Sequence, residues 1–243
     1  IPNVITVPIH RNRIQDVGYL VKAILKRQSF LVTRDDLQSM RNAVSSLCKE
    51  QVFDIVHADQ LTMAQFAWQA RQIQLQRNVP APKIIFDAHN ATWTIMERMR
   101  AQVPFFLRPL VSWEQAQIKR YEGWLVKNFD LTLAVTSIDR TALLDAGENE
   151  PRLSEKIKVI PIAVDTQQLA ALTIPPQATH LLTLGTLHYP PNADGIRWFL
   201  NEVYPLILNE MPATPLTVIG KNPPKDFYEI AERYPRNLEI TGY

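Results

Sequence analysis

The strongest constraint on this chain is a repeated alternation. Short runs of Val, Ile, Leu and Phe are each followed by a longer segment with helical spacing of its apolar residues. Residues 52–57 (VFDIVH) read as a strand and 61–77 as a helix, with Met63, Phe66, Ala67 and Ala70 on one side. Residues 83–88 (KIIFDA) form the next expected strand, before a helix containing Met96 and Met99. An amphipathic stretch covers 111–128 and 131–136 is again a strand; Ser137 is the expected N-cap of a helix that ends at Gly147. Residues 157–164 (IKVIPIAV) complete the series. Strands that are nearly continuous in apolar residues and separated by helices predict a parallel sheet covered on both faces, hence the α/β class.

Residues 165–179 break the rhythm at Pro175 and Pro176 and read as a linker. The pattern then restarts with strand 180–187, helix 192–210, strand 215–220, helix 224–234 and strand 237–241. Pro205 should kink or end the first of these helices. The expected division is a domain over 1–172 and a second over 173–243, the latter a βαβαβ half with part of its faces uncovered. The chain opens on Ile1 in strand-like sequence rather than on Met, so both domains are expected to be incomplete pieces of a longer protein.

Composition excludes several classes. With 46% hydrophobic and 21% charged residues the chain is globular rather than disordered. The net charge of +2 is too small for a nucleic-acid partner. From Ala178 on there are five basic against seven acidic residues, and 21 against 17 before it, a distribution suited to a small anion or a bilayer surface. The single cysteine, Cys48, sits in a polar helical stretch and forms neither an internal disulfide nor a Cys-based zinc site, which points to a reducing compartment. No apolar run reaches the roughly 18 to 20 residues of a membrane span. Neither G-x-G-x-x-G, G-x-x-x-x-G-K-[ST] nor G-x-S-x-G occurs, which disfavours dinucleotide cofactors, P-loop ATPases and covalent hydrolases.

Ligands of open parallel sheets bind beyond the carboxyl ends of the strands. His89, flanked by Asp87 and Asn90, could donate to a sugar hydroxyl or phosphate or act as acid or base, or it could simply bond a nearby carbonyl. His57 and Asp59 offer the same alternatives. Together with Asp87 and His89 they have the chemistry of metal ligands, yet their sequence spacing gives no convergence and no metal is expected. Gly185 and Gly220 end strands and precede helices, where bare backbone and a helix N-terminus favour an anion. Lys221 could neutralise a diphosphate or remain a solvated loop lysine. Residues 103–113, with Phe105, Phe106, Leu107, Leu110, Val111 and Trp113 near Arg98, Arg100 and Arg108, suit either an anionic membrane surface or packing against the domain body.

Several stretches in order resemble family-4 glycosyltransferases of the GT-B fold, of the bacterial exopolysaccharide and cell-envelope type. They are FDIVHADQLTMAQFA, KIIFDAHNATWTIMERM, KRYEGWLVKNFDLTLAVTSIDRTAL, KIKVIPIAVDTQQL, LLTLGTLHYPPNADGIRWFLNEVYPLI, LTVIGKNPPKDFYEIA and LEITGY. The resemblance implies two Rossmann-like domains, the second holding a nucleotide diphosphate sugar and the first presenting a saccharide or lipid-linked acceptor. It implies a retaining, metal-independent transfer without a cofactor, at a cytoplasmic location or the inner face of a membrane. His89 would lie near the transferred sugar, Gly185, Thr186 and Lys221 at the phosphates, and Gly242 at the base; His57, Asp59, Asp87 and Asn90 would line the acceptor side of the cleft. Thr186 stands where the family often has arginine, and Pro161-Ile162-Ala163-Val164-Asp165 where it often has Pro-Asn-Gly-Val-Asp. The family's glycine-rich loop and Glu-x7-Glu region are expected upstream of Ile1 and beyond Tyr243, so this stretch alone is expected to be inactive. A non-catalytic two-lobed sugar- or nucleotide-binding protein and a GT-B nucleotide-sugar epimerase remain the alternatives.

Overall fold

A computed structural model describes residues 4–9, 11–169 and 171–242. The chain divides into two units, Ile1–Val164 and Asp165–Tyr243. The division falls at the start of the proline-broken segment, earlier than residue 172. Residues 165–169 and 171–179 are exposed and carry no helix or strand.

The first unit begins with three helices, α1 (Arg13–Lys26), α2 (Phe30–Arg34) and α3 (Gln38–Glu50). Of the strand expected at the N-terminus, residues 1–3 lie outside the described residues and 4–9 form no strand. Then β1 (Ile55–Asp59), α4 (Ala64–Gln76), β2 (Lys83–Ala88), α5 (Thr92–Gln102), α6 (Arg108–Asn128), β3 (Leu131–Ala134), α7 (Ser137–Ala146), α8 (Leu153–Lys156) and β4 (Ile157–Val159) follow. The four strands are parallel, in the order β1-β2-β3-β4. The cap of α7 is Thr136 rather than Ser137, because the Thr136 hydroxyl is the one that accepts from Asp139 N, at 3.0 Å. β4 ends well before residue 164; beyond Ile160, whose N–H still bonds Ala134 O, the chain has no strand partner among the described residues.

The second unit contains β5 (Leu181–Leu184), α9 (Pro190–Trp198), α10 (Tyr204–Glu210), β6 (Leu216–Ile219), α11 (Lys225–Ala231) and β7 (Leu238–Thr241). Its parallel sheet has the order β5-β6-β7. Pro205 neither breaks nor shortens the helical run. A π-helical turn at Phe199–Val203 precedes it and shifts the hydrogen-bond pattern, so the missing proline N–H falls in the first turn of α10. The same turn directs Tyr204 into the core, where its hydroxyl donates to Thr214 O and Asn237 O at 2.9 and 3.1 Å.

Both units are therefore α/β with parallel sheets, as the alternation requires. Coverage of both faces is not met. In each sheet the crossovers step in one direction, and crossovers of one hand that step one way place their helices on one face. Ile84, Phe86 and Ala88 are fully buried while Ile85 and Asp87 are half-buried. In β5 the outward Leu182 and Leu184 are 61% and 68% exposed. The core of the first unit joins Phe86, Ile118, Leu125 and Phe129; that of the second joins Leu187, Leu200, Val218 and Phe227. No helix among the described residues is long and apolar enough to cross a membrane.

Candidate functional site

The expected strand over 52–57 begins later, at Ile55, and runs on through Asp59, so His57 and Asp59 are strand residues rather than loop residues. Parallel pairing sets Asp59 opposite Asp87 and His57 opposite Ile85. Because side chains alternate along a strand, His57, Asp59, Asp87 and His89 all fall on one face of the sheet. The two strands carry H-A-D and D-A-H, mirror orders of the same residues. In register they produce two diagonal pairs. His57 Nε2 lies 3.2 Å from Asp87 Oδ2, and His89 Nε2 lies 2.5 Å from Asp59 Oδ1.

The lack of convergence inferred from spacing is corrected here. One ligand atom from each of Asp59, Asp87 and His89 fits within a 4.8 Å cluster. These three could hold a divalent cation, although each histidine is already matched to a carboxylate. Asn90 is exposed at the end of β2 beside them.

The backbone around the pairs is held tightly. Gln60 N donates to Asp87 O at 3.0 Å, extending the ladder one step past β1. To do so Gln60 adopts φ 76° and ψ 162°, a conformation that favours glycine and costs a side-chain-bearing residue about 1–3 kcal/mol. On the other strand, Ala91 N donates to Asp139 Oδ1 at 3.0 Å. Thr92 N and Trp93 N donate to the two oxygens of Glu122, at 2.7 and 3.2 Å. Glu122 is buried in α6, and burial pushes its pKa up to about 7, against the opposite pull of those backbone N–H groups. It replaces the side-chain cap that Ala91 cannot supply to α5. An apolar hollow of about 460 Å³ between α3, α4 and β1, walled by Met40, Leu47, Phe53 and Phe66, reaches His57 and Asp59. Cys48 lies against it and burial pushes its thiol up, so it is not an activated nucleophile.

In the second unit the register aligns Leu184 with Ile219 and Ile219 with Thr241. The next residue on each strand is a glycine, so Gly185, Gly220 and Gly242 form a row across the carboxyl edge of the sheet. Their reasons differ. A Cβ on Gly220 would sit 1.9 Å from Gly185 O, so packing alone demands glycine there. A Cβ on Gly185 or Gly242 would meet its nearest atoms at 3.5 and 3.4 Å, ordinary contact. Thr186 and Lys221 are exposed at the same edge, and His188 Nδ1 lies 3.4 Å from Lys221 O. The helix N-terminus expected to help here is poorly equipped. α9 opens with Pro190 and Pro191, which have no N–H, and Asn192 N and Ala193 N both donate to Tyr189 O.

Residues 103–113 do not pack fully against the body: Phe105 and Phe106 are 79% and 66% exposed, and Arg108 is exposed beside them. Sequence reasoning missed Gln60 as a strained residue and Glu122 and Asp139 as the clamps of the His89 loop. The reciprocal H-A-D and D-A-H orders were the available signal for the paired site.

No family model and no curated protein matches the chain. Among solved structures, one described as "OtsA apo structure" is similar at 16% identity and a TM-score of 0.47, over 94% of this chain and 59% of that one. The chain thus spans less than two thirds of that structure's length.

Proposed function

We propose that the protein transfers a sugar from a nucleotide diphosphate sugar to a saccharide or lipid-linked acceptor, as a GT-B glycosyltransferase. The observation that carries this reading is the pairing of two different strand-end sites on parallel sheets. One is a cluster of two His–Asp pairs, the other a ledge of three glycines in register. Gly185 and Gly242 have room for a side chain that they lack, which supports close approach of a ligand to the backbone. In this reading Lys221 and Thr186 meet the diphosphate and Gly242 the base. In the first unit His89, oriented by Asp59, is proposed to donate to a sugar or phosphate oxygen. Asp87 and His57 bind acceptor hydroxyls with Asn90, and the apolar hollow beside them takes the less polar part of the acceptor. The exposed Phe105 and Phe106 among arginines support contact with an anionic membrane surface. The transfer is proposed to retain configuration and to need neither metal nor cofactor.

A hydrogen bond that strengthens as the leaving group gains charge affects turnover more than binding. His89→Ala in the full-length protein should therefore lower turnover about 10²–10³-fold with donor affinity little changed. His188→Ala is the control and should leave turnover near wild type. Release of nucleotide from a panel of nucleotide sugars, with and without acceptor, is the readout. Nucleotide-sugar binding without release in any combination would favour the non-catalytic binder, and a change in the sugar without transfer would favour the epimerase. Turnover that disappears on chelation and returns with a divalent cation would overturn the metal-independent reading.

A further inference from the structure

A hollow of about 790 Å³ in the first unit has no part in the strand-end cluster. It lies between the end of α1, α2 and the sides of α4 and α6, and its residues from α4 (Gln65, Trp68, Gln69 and Gln72) are not those that α4 buries against the sheet. Val32 is its one aliphatic side chain; the rest of the lining is aromatic, amide, hydroxyl or charged. That lining is unsuited to a purely apolar ligand.

The aromatic groups are set as a corner. The Trp68 and Trp124 rings meet edge to face at 4.8 Å and 74°, and Tyr121 lies parallel to Trp124 at 6.1 Å. Two parallel rings this close admit no third ring between them, so the corner does not sandwich a planar base. It suits the C–H face of a pyranose, with glutamine amides, each both donor and acceptor, reaching its hydroxyls. Gln69 and Arg41 are already tied to one another, at 3.2 Å, and Arg41 is paired with Asp36, which stiffens one wall. Lys26, Arg27 and Arg120 have no acid opposite them in the lining, whose only carboxylate is Asp36. The Tyr121 hydroxyl is buried at the wall with no hydrogen-bond partner, and burial pushes its pKa up, so it remains a phenol.

We propose that this hollow is a binding site for an anionic saccharide, its ring on Trp124 and Trp68 and its carboxylate or phosphate near Lys26 and Arg27. The volume is within the range of small-ligand sites. The proposal stands independently of glycosyl transfer, because none of its residues belongs to the strand-end sites.

Isothermal titration of the protein with a glucuronic acid trisaccharide, glucose 6-phosphate and maltotriose tests it. The acidic trisaccharide or the sugar phosphate should bind more tightly than neutral maltotriose, and which of the two binds identifies the anion. Trp124→Ala and, separately, Lys26→Glu should each weaken binding about tenfold or more. Lys26 is a surface residue at the end of α1, so its variant keeps the test valid if loss of Trp124 disturbs folding. Absence of binding by both anionic sugars, equal binding of maltotriose, or affinity unchanged in Lys26→Glu would overturn the proposal.

Discussion

Replacing Glu122 with glutamine isolates the electrostatics of one buried carboxylate. In the folded protein its pKa is raised from 4.5 to about 7 by burial, the N–H bonds from Thr92 and Trp93 recovering only part of that cost. A carboxyl whose folded pKa lies above its unfolded value keeps its proton in the native state after the unfolded chain has released it. Stability is therefore greatest below about 4.5, falls as pH rises toward about 7, and is level above that. The displacement from 4.5 to about 7 corresponds to about 3 kcal/mol. Glu122→Gln is neutral at every pH and its amide oxygen can still accept from Thr92 N. The stability difference between variant and wild type should thus change by about 3 kcal/mol, in favour of the variant, between about pH 4 and about pH 8. Urea unfolding followed by tryptophan fluorescence is the appropriate assay, since Trp68, Trp93, Trp113 and Trp124 all lie in the first unit. Other titrating groups are common to both proteins and cancel in the difference. Parallel pH profiles for the two proteins would refute the argument that burial dominates this site.

Two further substitutions test the backbone reading. Gln60→Gly should stabilise the protein by about 1 kcal/mol, because relief of the φ 76° conformation exceeds the added freedom of the unfolded chain; a loss in urea unfolding would remove Gln60 from the strained residues. Gly220→Ala should cost about 2–3 kcal/mol through its clash with Gly185 O, whereas Gly185→Ala should cost less than about 1 kcal/mol and instead weaken nucleotide-sugar binding. Equal stability losses at the two positions would contradict the distinction drawn between a packing glycine and a ligand glycine.

The alternation of apolar runs and helical spacing was sufficient to locate β2 at its exact bounds and to recognise two parallel-sheet units. Local signals failed where a long-range partner decides the outcome. Val52 and Phe53 look like strand, but Phe53 N and O are taken by the Gln74 amide, so pairing begins only at Ile55. The His–Asp diagonals depend on register, which no single segment encodes. Glu122 reads as the polar face of an amphipathic helix until the helix it caps is in place. Pro205 reads as a break because a π-turn has no distinct residue signature.

The two buried glutamates of α6 bear on where this chain can be joined to a second parent sequence. Glu114 accepts from Ser29 Oγ, Phe30 N and Leu31 N at the start of α2, just as Glu122 serves α5. Eight residues of helix place the two carboxylates about 12 Å apart along one rod. A chimera joined within 114–122 would take the anchor of the N-terminal helices from one parent and that of the His89 loop from the other. Crossovers are better placed before Arg108 or after Asn128, so that α6 is inherited whole and the helices preceding it come from a parent whose backbone donors meet both carboxylates.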